Sequence, residues 1–145
     1  MTRYAHALYC DDVRHELGDK VSFMGVYSGK LLISDLPAIL PKLCVALTLR
    51  SGLDTPFKSI VITGLYREQE VFVMNLNEQD VDRAKDSTPP SADSSALYVQ
   101  ILAIMSPFQI EEPGRLDIKI IADGETLKVA ALEIEAASPT AHNQV

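Results

Sequence analysis

The chain has 145 residues, with 13 Lys+Arg against 20 Asp+Glu and a net charge of −7. Hydrophobic residues make up 47% and charged residues 23%, which suits one folded domain and excludes wholesale disorder, collagen and coiled coil. The acidic balance argues against sequence-independent nucleic-acid binding, which rests on Lys and Arg neutralising phosphates.

The start, Met1-Thr2-Arg3-Tyr4-Ala5-His6-Ala7, lacks the apolar run of a signal peptide. No window offers the ~18 apolar residues of a membrane helix, so a cytoplasmic protein without membrane contact is expected. From there the dominant signal is period two. Leu43, Val45, Leu47 and Leu49 alternate with Cys44, Ala46, Thr48 and Arg50, and the same rhythm runs through 97–105 and 115–122. Side chains on a strand point to opposite faces in turn, so each run describes a strand with one face on a core. The expected strands are about 4–10, 20–27, 30–34, 42–50, 58–66, 70–75, 97–106, 115–122 and 125–135.

Turn chemistry separates them. Asp123-Gly124 predicts a type I′ hairpin, and Ser28-Gly29 a weaker turn of the same kind. Pro37 and Pro41 bracket Ala38-Ile39-Leu40, which reads as a crossing loop or a single helical turn. Within 125–135 the rhythm slips at Ala130-Ala131, between odd Leu127 and Val129 and even Leu132 and Ile134. A bulge there would turn both pairs to the core; a strand buried on both sides is the alternative. Residues 78–85 read as a short helix capped by Asn77, followed by a mobile acidic and Pro/Ser-rich loop within 77–96. The tail 136–145 has nothing to bury and is expected to be flexible.

Many short strands with almost no helix predict an all-β, mainly antiparallel two-sheet sandwich of eight or nine strands spanning residues 1–135. Its expected core is Leu8, Val21, Phe23, Leu43, Val45, Leu47, Ile60, Ile62, Val71, Val73, Val99, Ile101, Leu116, Ile118, Ile120, Leu132 and Ile134.

Chemistry-bearing groups are densest in Cys10-Asp11-Asp12-Val13-Arg14-His15-Glu16. Asp11, Asp12 and Arg14 are the ligand-site candidates, because adjacent carboxylates hold cations or share protons. Strand geometry puts Asp11 and Asp12 on opposite faces and leaves Asp12 and Arg14 about 7 Å apart on one, the spacing of an ordinary ion pair. His6 and Cys10 are about 13 Å apart on an extended chain, too far to share a zinc ion. The 78–93 loop offers Asp80, Asp82 and Asp86 to Ca²⁺, but Asp80-Val81-Asp82 lacks the glycine of an EF-hand loop, and Arg83 and Lys85 dilute the charge. No Gly-x-Ser-x-Gly elbow and no phosphate loop is present. No catalytic residue, metal ligand or cofactor is therefore assigned. Cys10 and Cys44 lie in apolar runs and read as buried small hydrophobes, with a mutual disulfide or a reactive thiol as the alternative.

Over Ala7-Leu8-Tyr9-Cys10-Asp11-Asp12-Val13-Arg14, Lys20-Val21-Ser22-Phe23-Met24-Gly25-Val26-Tyr27-Ser28-Gly29 and Leu40-Pro41-Lys42-Leu43, the chain resembles a bacterial domain family of unknown function. The later Glu112-Pro113-Gly114 also fits. The resemblance implies a compact bacterial cytoplasmic β domain and carries over no functional residue. The leading expectation is a non-enzymatic binding module for a protein partner or its own copy. The alternative is a small-molecule or metal-binding domain, conceivably an enzyme, using Asp11, Asp12 and Arg14 or the acidic loop.

Overall fold

Residues 3–85 and 96–137 are described by a computed structural model. In chain order the elements are β1 (Tyr4–Glu16), β2 (Lys20–Tyr27), β3 (Lys30–Ile33), β4 (Ala38–Leu40), β5 (Leu43–Gly52), β6 (Ile60–Tyr66), β7 (Gln69–Leu76), α1 (Glu78–Ala84), β8 (Ala96–Met105), β9 (Phe108–Ile110), β10 (Gly114–Ala122), β11 (Glu125–Leu127) and β12 (Leu132–Ala136). One sheet runs β2-β1-β5-β8; the other runs β3-β12-β10-β6-β7, with β11 also beside β10; β4 and β9 form a small ribbon. The pairings are antiparallel except β12 with β3. The fold is therefore all-β with one short helix.

Period two becomes burial where two sheets face each other. Leu43, Val45, Leu47 and Leu49 of the first sheet share one core with Ile60, Ile62, Leu116, Ile120, Leu132 and Ile134 of the second. Each fully buried aliphatic of this kind contributes about 1.5–3 kcal/mol. The slip in the last strand is a one-residue change of register. Ile120 pairs with Leu127, but Leu116 pairs with Leu132, so one extra residue lies between β11 and β12 and both stay buried. The break frees the Ala130 carbonyl, which accepts the Tyr9 hydroxyl at 2.6 Å from the opposite sheet.

The Asp123-Gly124 turn has φ of 50° and 81°, the left-handed pair that a type I′ hairpin requires. The Asp123 carboxylate also accepts the backbone N–H groups of Ser59 (2.9 Å) and Lys58 (3.1 Å) and a guanidinium N–H of Arg3 (3.0 Å). Burial alone would raise its pKa, but those donors together hold it below the ordinary carboxylate value. Asn77 caps α1 in a full capping box with Asp80, and Val81 is the helix residue that reaches the core.

Several expectations are corrected. Ala38-Ile39-Leu40 is strand β4, paired with β9, and neither a loop nor a helical turn. Val71 and Val73 are exposed, while Phe72, Met74 and Leu76 pack on the core. Both parities of β7 are apolar, and a register shift at Gly64/Leu65 selects the even one. Leu8 is half-buried on the outer face of its sheet, because the inner face of β1 is Ala5, Ala7 and Tyr9. Val21 and Phe23 each remain 38% exposed. The reason is that β1 runs to Glu16 instead of ending near residue 10, and beyond Cys10 it pairs with β2 alone. Residues 11–24 are thus a two-stranded arm that extends past the partner strand β5. Asp86 and the other residues of the expected mobile loop from 86 to 95, and the tail from 138, lie outside the described residues.

Candidate functional site

The root of the arm gathers most of the residues that the sequence singles out. Asp11 and Asp12 sit in mid-strand, where the pleat sends them to different partners. The Asp11 carboxylate accepts the Tyr27 hydroxyl and lies against Gly25 across the hairpin. Gly25 has φ of 68°, and a Cβ there would collide with that carboxylate, so glycine serves both the backbone and the close approach. Burial and the bond to Asp11 both raise the pKa of Tyr27. Asp12 accepts the Lys42 ammonium at 2.9 Å and the Val13 N–H at 2.9 Å. These two bonds lower the Asp12 pKa, and the same pair raises that of Lys42. Arg14 is exposed further along the arm, where it adds to the positive field on Asp12 without supplanting Lys42. The structure thus makes two separate pairs, Asp11 with Tyr27 and Asp12 with Lys42, and leaves Arg14 out of both.

Beneath this root lie the two cysteines. Cys10 of β1 is the direct cross-strand partner of Cys44 of β5, and both are free thiols with no exposed surface. The Cys10 thiol donates to the Asp12 carbonyl (3.4 Å) and the Cys44 thiol to the Asp11 carbonyl (3.8 Å). Burial pushes the Cys10 thiol up to about 11, and it raises Cys44 as well.

The arm also borders a groove of about 360 Å³. His15, Val21 and Phe23 line it from the arm, Arg83 and Lys85 from the far side, and Thr48, Gln100 and Leu102 from the sheet between them. A second cleft of about 580 Å³ lies between the β6–β7 turn and the segment after β9. Its Arg67 pairs with Glu112 at 2.9 Å and donates to the Pro113 carbonyl at 2.6 Å, so the cation there is already engaged. The acidic segment before residue 86 is likewise paired internally, Asp80 with Asn77 and Arg83, and Asp82 with Lys85. Among the described residues, no three His, Cys, Asp or Glu side chains converge as a metal-ligand set. Nor is any described helix long and apolar enough to cross a membrane.

β2 is the most open element. It forms one edge of its sheet, with β1 as its neighbour on the inner side. Every residue from Lys20 to Val26 is exposed, including Met24 (42%) and Val26 (51%). Sequence reasoning finds the strand and misses its setting. Gly25, an isolated glycine in an alternating run, signals a close backbone approach. Lys42 and the Cys10–Cys44 opposition carry no such local signal, because both depend on the β1–β5 register.

No curated protein matches the chain. A family model nevertheless covers residues 5–135, and the chain belongs to the Family of unknown function (DUF6941).

Proposed function

We propose that this chain is a non-enzymatic binding module that engages a protein partner by strand addition along the free edge of β2. The observation that carries this reading is an eight-residue apolar edge strand exposed from Lys20 to Val26. An unpaired edge offers a row of backbone N–H and C=O groups, and proteins ordinarily blunt such edges with proline, inward charge or a covering element. β2 has no proline, and its central residues Val21, Phe23, Met24 and Val26 are apolar. The opposite edge of the same sheet differs: Lys85 forms a bridge to Val99 there. Strand addition would supply affinity through the backbone and specificity through alternate side chains.

Affinity capture from a lysate, alongside light scattering on the purified protein, tests this reading. The expected result is a bound protein or self-association that Phe23→Lys with Met24→Glu abolishes without lowering the melting temperature. A strict monomer at high concentration, with no captured protein or with capture indifferent to those substitutions, would overturn it. The groove beside the arm favours a second reading, a small-ligand site, since about 360 Å³ lies within the range of such pockets. A metabolite panel that raises the melting temperature of the native chain, but not that of Phe23→Lys, would support it.

A further inference from the structure

We propose that Cys10 and Cys44 form a dithiol modification site, which a hydroperoxide converts into a cross-strand disulfide that pins β1 to β5 at the root of the arm. The two residues face each other in register across the antiparallel pair. Opposed residues of this kind hold their Cβ atoms about 4.5–5.5 Å apart, and a disulfide needs about 3.5–4.5 Å, so closure takes a shift on the order of 1 Å. The two sulfurs sit on the outer face of their sheet, away from the shared core, with Leu8 and Ala46 as the next register pair.

The pair is chemically asymmetric. Burial opposes ionisation of both thiols, and so do Asp11 and Asp12 beside Cys44. Against this, the Lys42 ammonium favours a thiolate at Cys44, whereas a charged Cys44 disfavours one at Cys10. Lys42, two residues before Cys44 and bonded to Asp12 at 2.9 Å, sets its cation at the Cys44 end of the pair, which makes Cys44 the attacking thiol and Cys10 the resolving one. Local opening at the root of the arm admits the peroxide; the Cys44 thiolate then attacks one peroxide oxygen, forming an S–O bond as the O–O bond breaks, and the departing alkoxide takes up a proton to leave as an alcohol. Cys10 then attacks the sulfenic sulfur; the S–S bond forms, the S–O bond breaks, and hydroxide leaves with the Cys10 proton as water. The two sulfurs lose two electrons in total, and the peroxide gains them. The S–H donors to the Asp11 and Asp12 carbonyls disappear, at the point where the arm leaves the sheet.

The test treats the purified full chain with cumene hydroperoxide and follows intact mass, thiol alkylation after denaturation, and amide exchange. The expected product is a single chain lighter by ~2 Da, with both thiols lost together and both restored by dithiothreitol. It should form faster as pH rises, and exchange in residues 11–25 should change on oxidation. Cys10→Ser should stop at a dimedone-reactive sulfenic acid on Cys44, while Cys44→Ser yields little adduct. Circular dichroism of Cys10→Ala and Cys44→Ala confirms that the variants fold. Two thiols still alkylated after methionine oxidation is complete, or disulfides formed only between chains, would overturn the proposal. Equal trapping in both serine variants would overturn the assignment of Cys44 as the attacking thiol.

Discussion

β5 and β2 read alike in the sequence and end in opposite environments. Leu43, Val45, Leu47 and Leu49 are buried, whereas Val21, Phe23, Met24 and Val26 are each at least 38% exposed. Both strands contain apolar, β-branched or aromatic residues and lack proline. The difference is neighbours. β5 has β1 on one side, β8 on the other and the second sheet across the core, while β2 has β1 alone. Period two reports the pleat of a strand, and burial is a property of what packs on it. An exposed apolar strand is therefore one whose residues the packing of the core does not explain.

The sharpest way to break this contrast is to place a charge in each setting. Ile118→Asp puts a carboxylate into the shared core and should leave the chain unfolded or nearly so, since an unpaired buried charge exceeds the ~5–15 kcal/mol that holds a domain together or consumes much of it. Phe23→Asp should cost less than about 1 kcal/mol, because water already reaches that ring. Circular dichroism melts decide: equal losses in the two variants would mean that the arm is packed after all.

Legibility in the sequence follows the same division. The hairpin at Asp123-Gly124, the Asn77 cap and the rhythm slip before Leu132 are local patterns, and each carries its own stereochemical reason. The even face of β7 and the outward turn of Leu8 were not legible, because in both strands either parity could pack and only the partner strands decide. Asp11 and Asp12 are visible as a dense group, yet their partners Tyr27 and Lys42 lie 16 and 30 residues away in sequence. Arg14, at ion-pair spacing from Asp12, is the nearer partner by sequence, and the fold supplies Lys42 instead.

The hairpin turns sharpen the comparison at an intermediate scale. The arm ends in Leu17-Gly18-Asp19, with Leu17 92% exposed. By contrast, the Asp123 turn is tied to the 58–59 backbone and to Arg3, whose guanidinium also lies 4.6 Å over the Phe57 ring. Asp123→Ala removes an acceptor shared by three donors and should cost about 2 kcal/mol, against a few tenths for Asp19→Ala. The Asp123 pKa is lowered in the folded state, so its stabilisation is complete above the ordinary aspartate range and is lost as pH falls through the folded value. Urea titrations at neutral pH and at about pH 3 should show the Asp123→Ala deficit shrinking in acid. A deficit that does not change with pH would point to lost turn geometry in place of lost charge.

Within β1 itself, Tyr9 lies in the embedded half and Tyr27 pairs with it across the hairpin. Tyr9→Phe removes the bond to the Ala130 carbonyl and should cost about 1 kcal/mol, read as a melting-temperature drop of a few degrees. Tyr27→Phe should cost less, since its acceptor Asp11 is exposed and regains water.

The smallest expected effect belongs to the pair nearest the candidate site. Asp12 and Lys42 form a 2.9 Å ion pair whose side chains are 47% and 41% exposed, a setting in which solvent and salt screen most of the attraction. The Lys42 bond lowers the folded pKa of Asp12, so its contribution is present above the ordinary carboxylate range and disappears as pH falls through the folded value. Asp12→Asn should therefore match the native melting temperature at physiological salt and differ from it detectably only at low salt and neutral pH. A large loss that persists at high salt would give Asp12 a role that screening cannot reach, such as holding the Val13 N–H and with it the path of the arm.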